Sequence, residues 1–164
     1  MNMAGFLNPS SRYTGPDLTP EMVSAAEESL GYTLPRSMVE LLNDCNGGTP
    51  ARSCFPMASP TSWASDHIQI KAILGIGGKR GFYGDDSLFA SGDMIGEWGY
   101  PDIGIMICMM PSGGHDTVML DYRAAGPQGE PSVAYIDEDR VPQQIAASFA
   151  EFVAGLRDCS EFDD

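Results

Sequence analysis

The stretch from Glu27 to Gly48, EESLGYTLPRSMVELLNDCNGG, is the part of this chain that leaves the fold least freedom, because it spells two short helices and the sharp turn between them. Upstream, Thr19 before Pro20 is a helix start: the hydroxyl can accept from an orphan backbone N–H, and proline suits the first helical position, where no donor is needed. Val23, Ala26 and Leu30 then fall on one helical face. Gly31 is the natural stop, since glycine enters the left-handed C-terminal conformation without steric penalty. Pro35 opens a second helix whose apolar stripe is Met38, Leu41, Leu42 and Cys45, and Asn46, Gly47 and Gly48 end it. The unit is a helix hairpin that needs a surface to sit on.

Further along, the period changes. Ile68, Ile70, Ala72, Leu74 and Ile76 alternate with His67, Gln69, Lys71 and Ile73, the pattern of a half-buried strand. Ile103, Ile105 and Ile107 repeat it with Met106 and Cys108 opposite, so this strand is expected to be covered on both sides. Thr117 to Tyr122 and Ser132 to Asp137 read as an antiparallel hairpin around a loop containing Gly126, Pro127, Gly129 and Pro131. Ser148 and Glu151 form a capping box for a last helix with Phe149, Phe152, Val153 and Leu156 on its apolar face. Residues 1–16 read as a loosely ordered segment. The runs from Thr49 to Ser65 and from Gly75 to Gly99 read as loops, the latter with room for short strand pieces. Helices at the ends of a sheet that is mostly antiparallel or mixed make an α+β domain, and no linker divides residues 1–164.

These motifs resemble the SUKH superfamily, the Smi/Knr-type proteins. The matching positions are Ala26, Glu27, Leu30, Gly31, Leu34, Pro35, Leu42, Asn46, Gly47 and Gly48. Met38 and Leu41 depart from the pattern, standing where the family usually carries Tyr and Phe. Downstream, SGGHDTVMLDYR (Ser112 to Arg123) is similar to the family's glycine-aspartate turn and the strand after it, which draws in Gly113, Gly114, Asp116 and Asp121. GEPSVAYID (Gly129 to Asp137) follows, and IAASFAEFVAGL (Ile145 to Leu156) resembles the closing helix. For many bacterial members the resemblance implies a non-enzymatic immunity protein that binds and neutralises a cognate toxin, often a nuclease. For others it implies a regulatory or scaffold role.

Charge bears on the partner. Nine Lys and Arg stand against 23 Asp and Glu, a formal net charge of −14. Such a chain repels nucleic-acid phosphates and anionic membranes, so neither is expected as a partner. No Lys or Arg lies between Arg80 and Arg123, whereas Asp85, Asp86, Asp93, Glu97, Asp102, Asp116 and Asp121 do. That segment can face a basic protein, with Tyr83 and Tyr100 as aromatic anchors among the carboxylates, or it can simply be a solvated face. Trp98 in the same segment, like the more distant Trp63, also suits packing over the sheet.

Length and cysteines set the remaining bounds. At 164 residues a chain can bury about 70% of its unfolded surface, so no disulfide or metal staple is required. Cys45, Cys54, Cys108 and Cys159 form no CxxC pair, and free thiols in a reducing cytoplasm are the expectation. The N-terminus lacks a signal-peptide pattern, and no run approaches the ~20 apolar residues that span a bilayer.

Three constellations imitate chemistry. Gly75, Gly77, Gly78 and Lys79 suggest a phosphate loop, but Arg80 replaces the Ser or Thr that such a loop needs, and a strand-end turn explains them. His115 and Asp116 could begin a metal site, yet the only other histidine is His67; a turn in which Asp116 bonds nearby backbone N–H groups accounts for the same residues. Ser112 or Cys108 with His115 lacks the spacing of a nucleophile and base, and Cys108 suits the core. No catalytic residue, metal or cofactor is assigned. The competing functional reading is a small-ligand or hydrolytic site at Gly113 to Asp116, which requires a concave pocket with His115 pointing into it.

Overall fold

The computed structural model describes residues 4–84, 87 and 90–162. The helix hairpin is present as α1 (Pro20–Leu30) and α2 (Arg36–Asp44). Thr19 accepts from the Met22 N–H at its start, and Gly31, at φ 82°, ends α1 with its N–H on the Glu27 carbonyl. Met38, Leu41 and Leu42 are fully buried, and each such side chain contributes about 2 kcal/mol by leaving water.

The described residues form ten short strands: β1 (Leu7–Asn8), β2 (Thr49–Pro50), β3 (Cys54–Pro56), β4 (His67–Gln69), β5 (Ala72–Ile73), β6 (Gly104–Met106), β7 (Cys108–Met109), β8 (Thr117–Asp121), β9 (Ser132–Ile136) and β10 (Pro142–Ala146). The largest sheet is antiparallel in the order β10-β9-β8-β6, and the expected β8–β9 hairpin is in register from Thr117 opposite Ile136 to Asp121 opposite Ser132. Antiparallel pairs β1-β2, β3-β4 and β5-β7 complete the strands. The extended segment 104–109 joins two of these groups: the Ile107 N–H donates to Val118 on one side, and its carbonyl accepts from Leu74 on the other. It is buried throughout, as the two-sided apolar pattern requires. With α3 (Ser91–Trp98) beside β6, and α4 (Phe149–Gly155) against β9, β10 and α2, the architecture is α+β.

The structure corrects several expectations. The single half-buried strand from His67 to Ile76 is two strands, because the Ile70 N–H donates to Ser53 while the next N–H, of Lys71, donates to Met109. His67 and Ile73 are buried as well as Ile68 and Leu74, while Gln69 is half-buried and Lys71 exposed, so the second face is covered at its two ends only. The expected loop from Gly75 to Gly99 contains α3, whose helical signal is diluted by Gly92 and Gly96 and by Ala90 at the cap position. Ile145 and Ala146, in the block that resembles a closing helix, belong to β10, and α4 starts only after the Ser148 cap. That cap is reciprocal: Ser148 Oγ accepts from the Glu151 N–H, and the Glu151 carboxylate accepts from the Ala147 N–H. The first sixteen residues contribute buried Phe6, Leu7 and Tyr13 to the core as well as β1.

The thiol expectation fails for two of the four cysteines. Cys54 and Cys159 form a disulfide across 105 residues, their Cα atoms 5.1 Å apart, while Cys45 and Cys108 are free and buried. After α4 the backbone of Arg157 pairs with Cys54 in both directions, and this long-range pairing carries Cys159 to the edge of β3.

Candidate functional site

The family-motif residues work chiefly on backbone. Glu27 reaches across the hairpin turn to accept from the Leu34 N–H at 2.7 Å, fixing α1 against the Pro35 start of α2. Asn46 acts as a strand edge in side-chain form: Oδ1 accepts from the Ile76 N–H at 2.9 Å, and Nδ2 donates to the carbonyls of Ile76 and Pro16, each at 2.7 Å. Gly47, at φ 93°, and Gly48 admit neighbouring backbone where a Cβ would lie 2.6 Å from the Tyr13 carbonyl and 2.4 Å from that of Asn8. Leu30 packs half-buried against the core.

At Gly113 and Gly114 the chain turns with φ values of 78° and 123°, and Trp98 packs where a Gly114 Cβ would stand. Asp116 behind this turn is buried, and its carboxylate accepts from the hydroxyls of Ser112 and Tyr135 rather than from backbone N–H groups, which corrects the expected turn chemistry. Tyr135 lies between two carboxylates, 2.6 Å from Asp116 and 3.5 Å from Asp137. Burial first, then the Asp116 contact, pushes the Tyr135 phenol up. For Asp137 burial raises the carboxyl, but hydrogen bonds from Ser62, the Glu138 N–H and Tyr135 outweigh it and hold it below the usual carboxylate range. Asp121, at the end of β8, is held low chiefly by the Arg123 guanidinium, which binds it in a fork.

The small cavity at this turn measures about 40 Å³ and is bordered by Ser62, Trp63, His115, Asp116, Asp137 and Glu138. That is room for about one water, far below the ~300 Å³ at which small-molecule sites begin. His115 itself is exposed, with its ring edge-on to Trp98 at 5.7 Å. Burial raises the Cys108 thiol well above its usual value, as a packed core thiol requires. Among the described residues, no group of three or more His, Cys, Asp and Glu is arranged to hold a metal ion.

The acidic segment is dispersed by the fold. Asp93 and Glu97 lie exposed, one turn apart, along α3. Asp102 is exposed but borders a depression with Gly31, Tyr32 and Tyr122 near the helix hairpin. Asp85 and Asp86 lie outside the described residues. Tyr83 is half-buried beside Gly77, whose N–H donates to its carbonyl. Tyr100 is not available as a surface anchor: it is 3% exposed, its hydroxyl donates to the Gly114 carbonyl, and its ring lies under the Arg140 guanidinium. Burial pushes its phenol up to about 12.

Sequence reasoning missed the neighbourhood of the β9–β10 turn. Arg140 occupies it at φ 61°, a left-handed conformation unusual for a side-chain-bearing residue. Its guanidinium donates to the carbonyls of Trp98, His115 and Asp137, so it clamps the C-terminus of α3 to the Gly113–Asp116 turn. Around this clamp stand exposed Glu138 and Asp139 and the two exposed large apolar residues among those described, Trp63 at 43% and Val141 at 58%. The Trp98–His115 contact connects this patch to α3 with Asp93 and Glu97. Trp63 and Glu138 are too distant in sequence for any local pattern to pair them.

A helix hairpin closed by an asparagine and two glycines, an antiparallel sheet and a capped final helix define the α+β class of this domain. The model of the SMI1 / KNR4 family (SUKH-1) matches residues 17–155, and the chain belongs to that family. Comparison with curated proteins and with solved structures finds no match. No helix among the described residues is long and apolar enough to cross a membrane.

Proposed function

We propose that this protein is a non-enzymatic immunity-type member of its family that binds and neutralises a basic cognate toxin. One observation carries the reading: exposed Trp63 and exposed Glu138 border one small cavity at the β9–β10 turn, with exposed Asp139 next in sequence, while the nearby Arg140 guanidinium is engaged by backbone carbonyls and holds the end of α3, along which Asp93 and Glu97 are exposed. An aromatic anchor within an acidic surface combines apolar burial with electrostatic steering toward a cationic cleft, which the carboxylates fill as phosphates would. The ligand reading at Gly113 to Asp116 lacks comparable support, given a cavity of about 40 Å³.

The test is a binding titration against the basic protein captured from the native host at low salt. Reversing Asp85, Asp86, Asp93 and Glu97 to Lys should weaken binding at least about thirtyfold and flatten its salt dependence, and Trp63→Ala should cost about 2 kcal/mol. Unchanged affinity and salt dependence in the reversed protein would sink the acidic-surface mechanism, and His115→Ala should leave binding intact.

A further inference from the structure

β10 (Pro142–Ala146) is the outer strand of the four-stranded sheet: β9 pairs with one of its edges, and among the described residues no strand pairs with the other. Alternate residues of such a strand turn their N–H and carbonyl groups outward, a row that a second chain can pair with. Folded proteins commonly protect an outer strand with charged side chains, and β10 has none: Gln143 and Ile145 are half-buried and Gln144 is exposed. Its protection is Pro142 at the start and a register shift between Gln144 and Ala146, so the regular edge is short.

A groove of about 220 Å³ lies between residues 143–145 and the chain 55–59, with Phe55, Met57 and Ile145 in its apolar lining. That is below the ~300 Å³ at which small-molecule sites begin, and its place along a strand suits the side chains of an extended segment. Carboxylates stand at both ends of β10. Exposed Glu138 and Asp139 precede it, and exposed Glu151 follows it, its carboxylate accepting from the Ala147 N–H. Arg140, in the turn between β9 and β10, is engaged by the carbonyls of Trp98, His115 and Asp137. In sequence the edge continues directly from exposed Val141 and from the turn whose Glu138 shares a cavity with Trp63.

We propose that the protein partner adds a strand here: a short extended segment of a basic protein pairs with β10, sets apolar side chains in the groove against 55–59, and brings Lys or Arg to Glu138, Asp139 and Glu151. This inference rests on the reading of the chain as a binder of a basic protein and supplies the mode of contact. Main-chain pairing provides affinity, while the groove and the flanking charges select the segment. A second copy of this chain fits the edge less well. Antiparallel pairing of β10 with itself turns the Glu138–Asp139 end of one copy toward the Glu151 end of the other, and two chains of net charge −14 repel.

The experiment follows backbone amide resonances at low ionic strength, with a short capped peptide alternating Val and Lys as probe. Its control is the same peptide N-methylated at every peptide bond, which keeps the charge and side chains but cannot donate to a strand. Saturable shifts in residues 142–146 and 55–59 are expected with the probe, and binding of the control should be at least about tenfold weaker. Joint reversal of Glu138 and Asp139 to Lys should weaken the probe about tenfold and Gln144→Lys about threefold, each leaving the unbound spectrum folded. The proposal is overturned by equal affinity for probe and control, by shifts confined to other surfaces, by no saturable shift at millimolar peptide, or by self-association of the protein that the probe abolishes. Amide exchange in the complex with the basic protein captured from the host separates this inference from the reading beneath it. Salt-dependent binding of that protein with the β10 amides left unprotected overturns the strand pairing alone, and protected β10 amides support it whatever the salt dependence.

Discussion

Asp121 and Asp137 are buried carboxylates held ionised by opposite routes, one by the Arg123 fork and one by backbone and hydroxyl donors. A depressed folded-state pKa contributes stability that is present above the unfolded value, about 3.9, and is lost as pH falls through the lower folded value. The urea midpoint should therefore hold steady from neutral pH to about pH 5 and drop below about pH 4, with Asp137→Asn flattening that acid limb. Arg123 is 58% exposed at its side chain, so solvent screens its pair and Asp121→Asn should flatten the limb less. An acid limb identical in wild type and Asp137→Asn would show that Asp137 is not held low. At this scale the family motif was legible as residue types but not as contacts: nothing near Asp116 in sequence announces Tyr135 as its partner.

Among the elements, one side chain at the end of α2 joins the segment before α1 to the segment after β5. Asn46→Ala strips partners from the Ile76 N–H and carbonyl and from the Pro16 carbonyl in a buried place, at an expected cost of about 3 kcal/mol in a denaturation titration. A loss under about 0.5 kcal/mol would mean that water or relaxed backbone replaces the amide. The helix hairpin and α4 were legible because their caps, Thr19, Gly31 and Ser148, act within a few residues of what they cap. By contrast α3 begins at an uncapped Ala90 and carries two glycines; it is held by Met94 in the core and by Ser91, whose hydroxyl accepts from the Met106 N–H. The break between β4 and β5 also escaped the periodicity, because apolar residues continue through it while the hydrogen-bond partner changes from Ser53 to Met109.

Over the whole molecule, the disulfide between Cys54 and Cys159 ties β3 to the chain beyond α4. Closing a loop of this length removes unfolded-state entropy worth about 4.7 kcal/mol, so Cys159→Ser should lower stability by up to that amount. Thiol titration of the unfolded, unreduced protein should find only Cys45 and Cys108, and all four cysteines after reduction. Four reactive thiols without reductant would remove the cross-link from the account. The α+β class, the helix hairpin, the β8–β9 pairing, the acidity and the family resemblance were determined by the sequence itself, since caps, periodicity and composition are local or additive. Tertiary structure alone decided which distant residues became neighbours. It set Ser62 on Asp137 across 75 positions, Arg12 and Lys79 on the walls of one cavity, Cys54 against Cys159 and Tyr100 beneath Arg140. Such adjacencies follow from packing one shared core, and loop-closure entropy changes too slowly with chain length for sequence spacing to distinguish one long-range partner from another.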